Sequence, residues 1–431
     1  MRKRITWAFT FRLRQYMKAS LWIMPLFGLG LGVVLAECAI AVDASGWLPS
    51  GWRYSASTAT GVLSSIVGAM VALLGFVVTI GVLVIQQATG TLSPRYMRLW
   101  YRDHLQKAVL STFIGTFAFA FSLMRTIESD SVPDLGVTLA GMAVGVSLLL
   151  LLVYLNRFTH NLRPVAIADI VGRQGVRVFT QAAAAVRGPA VVPGTVDPVP
   201  PGAPVTPVHA TGGGVIQAVN VSALVRTAAR HECVFVLPQL IGDHVAPGTV
   251  LVEVHGGVAA VDPDRVRGLV ALGAERTIEQ DPAFALRVLV DIAIRALSPA
   301  VNDPTTAVQV LNHIESFLCA VGRTPLPGRL VLADEHGRPR LVLPGRSWED
   351  YLQLAVAEIR HYGATSLQVC RRLRALFEGL AGSAAEVHLP SVRAELALLD
   401  ESVERSFDDP ARRALARTAD RQGIGGGFRR A

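Results

Sequence analysis

Residues 61–86 read GVLSSIVGAMVALLGFVVTIGVLVIQ, a run of 26 residues without an ionisable side chain. A bilayer core of about 30 Å takes roughly 20 apolar residues in helical form. Backbone amides have no water to bond in hydrocarbon, so such a run predicts a helix rather than a loop or an open strand. Working outward, stretches 21–42, 109–126 and 135–155 have the same character, which makes four spans. The first follows Arg2, Lys3, Arg4, Arg12, Arg14 and Lys18 and so has the flank of a secretory signal. Its apolar run exceeds the roughly 7–15 residues of a signal core, so it is expected to remain as a helix.

The composition changes character at the end of the fourth span. Overall 51% of residues are hydrophobic and 17% charged, below the roughly 25% charged of an average soluble domain. Residues 1–156 carry 12 Lys or Arg against 6 Asp or Glu, whereas residues 157–431 carry 29 against 27. The basic excess therefore belongs to the membrane half, and no basic stripe marks a nucleic-acid surface. Within that half it alternates. The first 20 residues form a basic tail, loop 87–108 holds Arg95, Arg98, Arg102 and Lys107, and Arg157 and Arg163 follow the fourth span. Loop 43–60 has only Arg53, and loop 127–134 has no basic residue. Positive charge stays on the cytoplasmic side, which puts both termini and everything after Leu155 there. Trp47, Trp52 and Tyr54 suit the outer interface, Trp100 and Tyr101 the inner one. Ser93-Pro94 has the form of a helix start, and Arg95, Arg98 and Arg102 beyond it are candidates for contact with anionic lipid.

In the second span Gly61, Ser65, Gly68, Ala72, Gly75 and Thr79 recur at steps of four and three, so all six share one helical face, with Gln86 close to it. One reading is tight packing against another helix, which small residues favour in lipid. The other is a face lining a pore at the axis of an oligomer. Gly28-xxx-Gly32 and Gly141-xxx-Gly145 add two further close-packing candidates. The candidates for a charge inside the membrane are Glu37 and Arg125, both near span ends, so no proton relay or ion-coupled carrier is indicated.

After the fourth span a membrane-exit helix and a Pro/Gly-rich linker are expected over 157–214, then a small α/β module over 215–260, a helix-rich domain with one β-hairpin over 261–422, and a disordered tail from 423. Val215–Val221 and Cys233–Leu237 read as strands around a short helix capped by Ser222. Gly242–Leu251 has the look of the hairpin in lipoyl-type modules, but the lysines, Lys3, Lys18 and Lys107, all lie elsewhere. Asp281-Pro282 and Asp303-Pro304 each open a helix, while Arg287, Asp291 and Arg295 stand four apart as a charge ladder. Residues 348–380, 390–406 and 410–420 look helical, and Arg329–Ala333 with Arg340–Leu343 a hairpin. The corner between the two Asp-Pro helices offers a ligand or partner site at Ser298, Asn302, Asp303, Thr305 and Thr306, with Asp291 and Arg295 nearby. The four cysteines, Cys38, Cys233, Cys319 and Cys370, have no disulfide or zinc spacing, and no catalytic or cofactor motif occurs.

The second span running into Gln86-Gln87 and Leu92-Ser-Pro-Arg95, with Arg276-Thr-Ile-Glu-Gln-Asp281, Leu289 to Pro299 and Asn302-Asp-Pro-Thr-Thr-Ala307 downstream, resembles the bacterial predicted membrane proteins of domain of unknown function 2254. The resemblance implies a bacterial inner-membrane protein with four spans and a mixed α+β cytoplasmic domain; it carries no activity or site residues. The expectation is a non-enzymatic protein without cofactor or metal. It would form a homo-oligomeric, channel-like assembly in the lipid bilayer, with the second span at its axis and the soluble domain as a collar. The alternative is a membrane-anchored sensor or scaffold that takes a small molecule or protein at the Ser298–Thr306 corner. An enzyme would need carboxylates to converge, and Asp281, Asp291 and Asp303 are those to compare.

Overall fold

The computed structural model describes residues 6–45, 53–91, 103–128, 131–161, 163–186, 198–199, 202–257 and 260–425. The chain forms two compact units, Gln15–Arg163 and a second made of Met1–Arg14 with Pro164–Ala431. Helix α1 (Trp7–Ala19) is shared between them.

The first unit holds four helices long and apolar enough to cross a membrane: α2 (Ile23–Ala44), α3 (Ala56–Thr91), α4 (His104–Met124) and α5 (Asp134–Asn161). Large side chains of α3 at heptad spacing, Leu63, Met70, Val77 and Val84, turn inward against Phe113, Phe119 and Leu123 of α4. At one end Asp43 accepts from the backbone N–H of Leu135, and Asp134 accepts from that of Tyr54 at 2.8 Å. A carboxylate at the start of α5 also suits the positive end of the helix dipole. Asp103 caps α4 through Leu105 N at 2.9 Å. Lys107, 3% exposed, donates to the carbonyl of Lys18 at 2.5 Å, so a cation sits at the C-terminal end of α1.

The second unit combines two sheets with a helical bundle. Strands β1 (Val205–His209), β2 (Gly214–Val219), β3 (Cys233–Val236), β4 (His244–Val245), β5 (Val250–Gly256), β6 (Val270–Gly273), β7 (Arg329–Ala333) and β8 (Pro339–Pro344) form a five-stranded sheet ordered β1-β5-β3-β8-β7 and a three-stranded sheet ordered β4-β2-β6. Helices α7 (Val221–Arg230) and α8 (Pro263–Arg267) belong to this part. The bundle comprises α6 (Pro164–Val186), α9 (Pro282–Ala296), α10 (Pro304–Gly322), α11 (Trp348–Gly363), α12 (Leu367–Ala381), α13 (Leu389–Ser406) and α14 (Pro410–Ala416).

Several expectations change here. Residues 205–209, expected within a linker, form edge strand β1, where Pro207 does not interrupt a central ladder. The boundary at 260 is crossed, because β3 pairs in parallel with β8, Phe235 opposite Leu341. Gly242–Leu251 is not a hairpin: β4 pairs with β2, and β5 with β1 and β3. The glycines keep their turn role, with φ of 98° at Gly242 and 86° at Gly248. Asn220 rather than Ser222 caps α7, accepting from Ala223 N at 3.1 Å, because the helix starts two residues earlier than a cap at Ser222 requires. Helix α6 is central to the bundle rather than a plain exit segment. Gly175 lies against Ala285 and Phe317, and Phe179 joins Phe317 and Tyr351 in an aromatic cluster with centroids about 6 Å apart. Residues 348–380 divide at Ala364–Ser366, where Ser366 caps α12. The basic tail is helical from Trp7.

Candidate functional site

The two glycine patterns of the membrane unit have opposite fates. On α2, a Cβ at Gly28 would collide with the carbonyl of Ser111, and one at Gly32 with that of Gly115; Gly115 in turn would bring its own Cβ to 3.0 Å from the Gly28 carbonyl. Backbone therefore meets backbone between α2 and α4, the arrangement that small residues permit in lipid. Ser111 Oγ reinforces it by donating to the Met24 carbonyl at 2.9 Å. Ser111-xxx-Gly115 is itself a small-residue pair, the signal in the sequence that could have identified the partner helix. An open, mainly apolar groove of about 550 Å³ lies beside this contact, walled by α2, α4 and the Leu135–Ala143 part of α5.

On α3 the stripe remains bare. Gly61, Ser65, Gly68, Ala72, Gly75, Thr79 and Gln86 are all exposed, and a Cβ at Gly61, Gly68 or Gly75 would meet nothing within 4 Å among the described residues. The helix packs within its unit through the opposite, bulky face. Ser65 and Thr79 satisfy their hydroxyls on their own helix, donating to the Gly61 carbonyl at 2.8 Å and the Gly75 carbonyl at 2.9 Å. The face is thus smooth, uncharged and weakly polar. Gly141 and Gly145 on α5 likewise face open space. Arg95, Arg98 and Arg102, the lipid-contact candidates, lie outside the described residues, as do Ser93, Pro94 and the tail beyond Gly425.

The Ser298–Thr306 corner closes on itself. Asp303 Oδ1 accepts from Thr306 N at 3.0 Å, and its Oδ2 accepts from the Thr306 hydroxyl at 2.5 Å. The Ser298 hydroxyl donates to the Arg295 carbonyl, while the backbone N–H groups of Asn302 and Asp303 reach the Ser298 and Ala296 carbonyls at 2.8 Å each. Asn302 takes φ of 48°, a left-handed conformation that asparagine tolerates and that turns the chain into α10. Of the charge ladder, Arg287 bonds Asp291 at 2.7 Å and crosses to Glu358 on α11, tying two helices together. These residues read as helix caps and cross-braces.

A second buried cluster lies in the Arg276–Asp281 segment. Gln280 bonds both N–H and C=O of Val219, Arg276 Nε donates to the Gly242 carbonyl at 2.7 Å, and Asp281 caps α9 through Phe284 N at 3.2 Å. Asp281 is 3% exposed, and among the described residues its Oδ2 has no hydrogen-bond partner. Burial pushes its carboxyl above the usual range, against the pull of Arg346 and Arg276. Gly242 leaves the room this carboxyl needs, since a Cβ there would overlap Oδ2. The segment fastens the sheet region to the bundle. Among the described residues no three His, Cys, Asp or Glu side chains gather as metal ligands. The carboxylates of Asp281, Asp291 and Asp303 serve separate local roles.

A family profile described as "Predicted membrane protein (DUF2254)" matches residues 18–379. An uncharacterised protein of Mycobacterium bovis and one of Mycobacterium tuberculosis H37Rv are each 29% identical to the chain over 422 residues, which is 93% of this chain and 79% of theirs. No solved structure matches.

Proposed function

The chain belongs to the DUF2254 family of predicted membrane proteins, and from that premise we propose that it is a homo-oligomeric, channel-like assembly of the bacterial inner membrane. Copies of α3 meet along the Gly61–Thr79 face, and the helix–sheet domain forms a collar on the cytoplasmic side. The observation that carries this reading is the bare small-residue face. Lipid chains are as apolar as any helix, so helix association in a bilayer depends on close van der Waals approach. A stripe of glycine, alanine and hydroxyl residues allows that approach, and among the described residues the glycines of this stripe meet no neighbouring helix.

The orientation is supported by the distribution of Lys and Arg, which favours both termini inside. A path along this face carries no charge between Gly61 and Gln86. Selection along it therefore rests on width and weak hydrogen bonding rather than on a charged ring.

The test is the mass of the detergent-solubilised protein by light scattering, paired with flux of small ions and neutral solutes from proteoliposomes. The expected result is a multimer that passes solute, with both properties reduced in Gly68→Val and Gly75→Val. A monomeric protein without flux would overturn it.

A further inference from the structure

Helix α1 carries two apolar faces, and the structure accounts for only one. Ala8, 5% exposed, packs with Ala218 of β2 and Ala271 of β6, and Trp7 and Phe11 stack beside them at 5.3 Å between centroids. Ala8 N donates to the Gly268 carbonyl at 2.9 Å, giving a partner to one of the amides that a helix start leaves unpaired. Alanine against alanine brings the helix backbone close to the three-stranded sheet. On the opposite side Phe9, Leu13, Tyr16 and Met17, spaced at three and four, are each about half exposed.

We infer that this second face lies in the bilayer surface, making α1 an interfacial helix. The occupant is an anionic lipid surface, on two grounds. First, α1 is joined to the membrane-crossing helix α2 by residues 20–22 alone, so its C-terminal end starts at the membrane. Second, the charge complements acidic headgroups. Arg12 and Lys18 lie on the helix, Arg2, Lys3 and Arg4 precede it, and the first acidic residue of the chain is Glu37. Apolar side chains at the headgroup boundary flanked by Arg and Lys are the pattern of helices that lie in the membrane plane. The inference is independent of the oligomer proposed above, since it needs a single copy.

The experiment uses the full chain in nanodiscs. Cys38 and Cys319 are replaced by alanine, the buried Cys233 and Cys370 are left, and single spin labels are placed at Phe9→Cys, Leu13→Cys, Met17→Cys and, as a water-facing control, Arg14→Cys. The expected result is high collision with oxygen and low collision with a water-soluble nickel relaxant at the first three positions, and the reverse at the control. Protection at Leu13 is expected to be stronger with phosphatidylglycerol than with phosphatidylcholine alone. High nickel access at Phe9, Leu13 and Met17 would overturn the inference. So would low access to both relaxants there, which would mean that protein, such as a second copy, covers the face. Equal protection in the two lipids would remove the anionic surface as the occupant.

Discussion

Helices α2 and α3 carry the same signal, small residues one turn apart, yet one face is buried against backbone and the glycines of the other meet nothing among the described residues. At Gly28 and Gly32 the missing Cβ atoms are what allow α4 to approach. At Gly61, Gly68 and Gly75 their absence makes a smooth surface with no occupant. The lesson is that spacing specifies a face suited to close approach without naming the partner. Whether that partner is internal depends on which other helix presents a matching narrow strip, and Ser111 with Gly115 does so for α2.

The contrast predicts effects of graded size. Gly32→Val puts a branched side chain into the Gly115 backbone and is expected to destabilise the membrane unit by about 3 kcal/mol or more, the upper range of overpacking. Thermal unfolding in detergent measures it, and an unchanged midpoint would erase the distinction between the two faces. Asp303→Ala removes a cap that is already closed within the chain and should cost about 1–2 kcal/mol. Thr305→Ala, whose hydroxyl takes no part in that cap, should cost well under about 0.5 kcal/mol. Equal losses at both positions would revive a ligand role for the corner.

Asp281 gives a smaller, pH-dependent effect. Its folded carboxyl holds a proton more tightly than the ordinary value of 3.8, so the native state binds more protons than the unfolded chain above that pH. Stability from this group is therefore present in acid and declines as pH rises through the raised folded value. Asp281→Asn keeps an acceptor for Phe284 N without ionising. Its midpoint relative to the parent should rise as pH increases from 3.8, and a constant difference would count against a buried acid. Gly68→Val should likewise change monomer stability by less than about 0.5 kcal/mol. A large loss there would mean that α3 is packed internally after all.

Legibility followed the range of the interaction. The four spans, the Asp281-Pro282 and Asp303-Pro304 helix starts and the 329–343 hairpin lie in short stretches whose own hydrophobicity or capping chemistry selects them. The Ser222 cap failed by a margin of two residues, because Asn220 is an equally good acceptor standing earlier. The pairing of β3 with β8 joins residues more than a hundred positions apart and leaves no local trace. Neither Gln280 bracketing Val219 nor Lys107 reaching Lys18 has a motif, since each is a contact between segments that only folding brings together.

Sequence alone determined that this chain enters a membrane four times and continues as a mixed helix and sheet domain, because burying apolar length and pairing backbone amides are local demands. Tertiary structure alone decided which small-residue face closes on a neighbour and which stays open. That choice depends on the shape of a second surface, and a one-dimensional pattern records only the first.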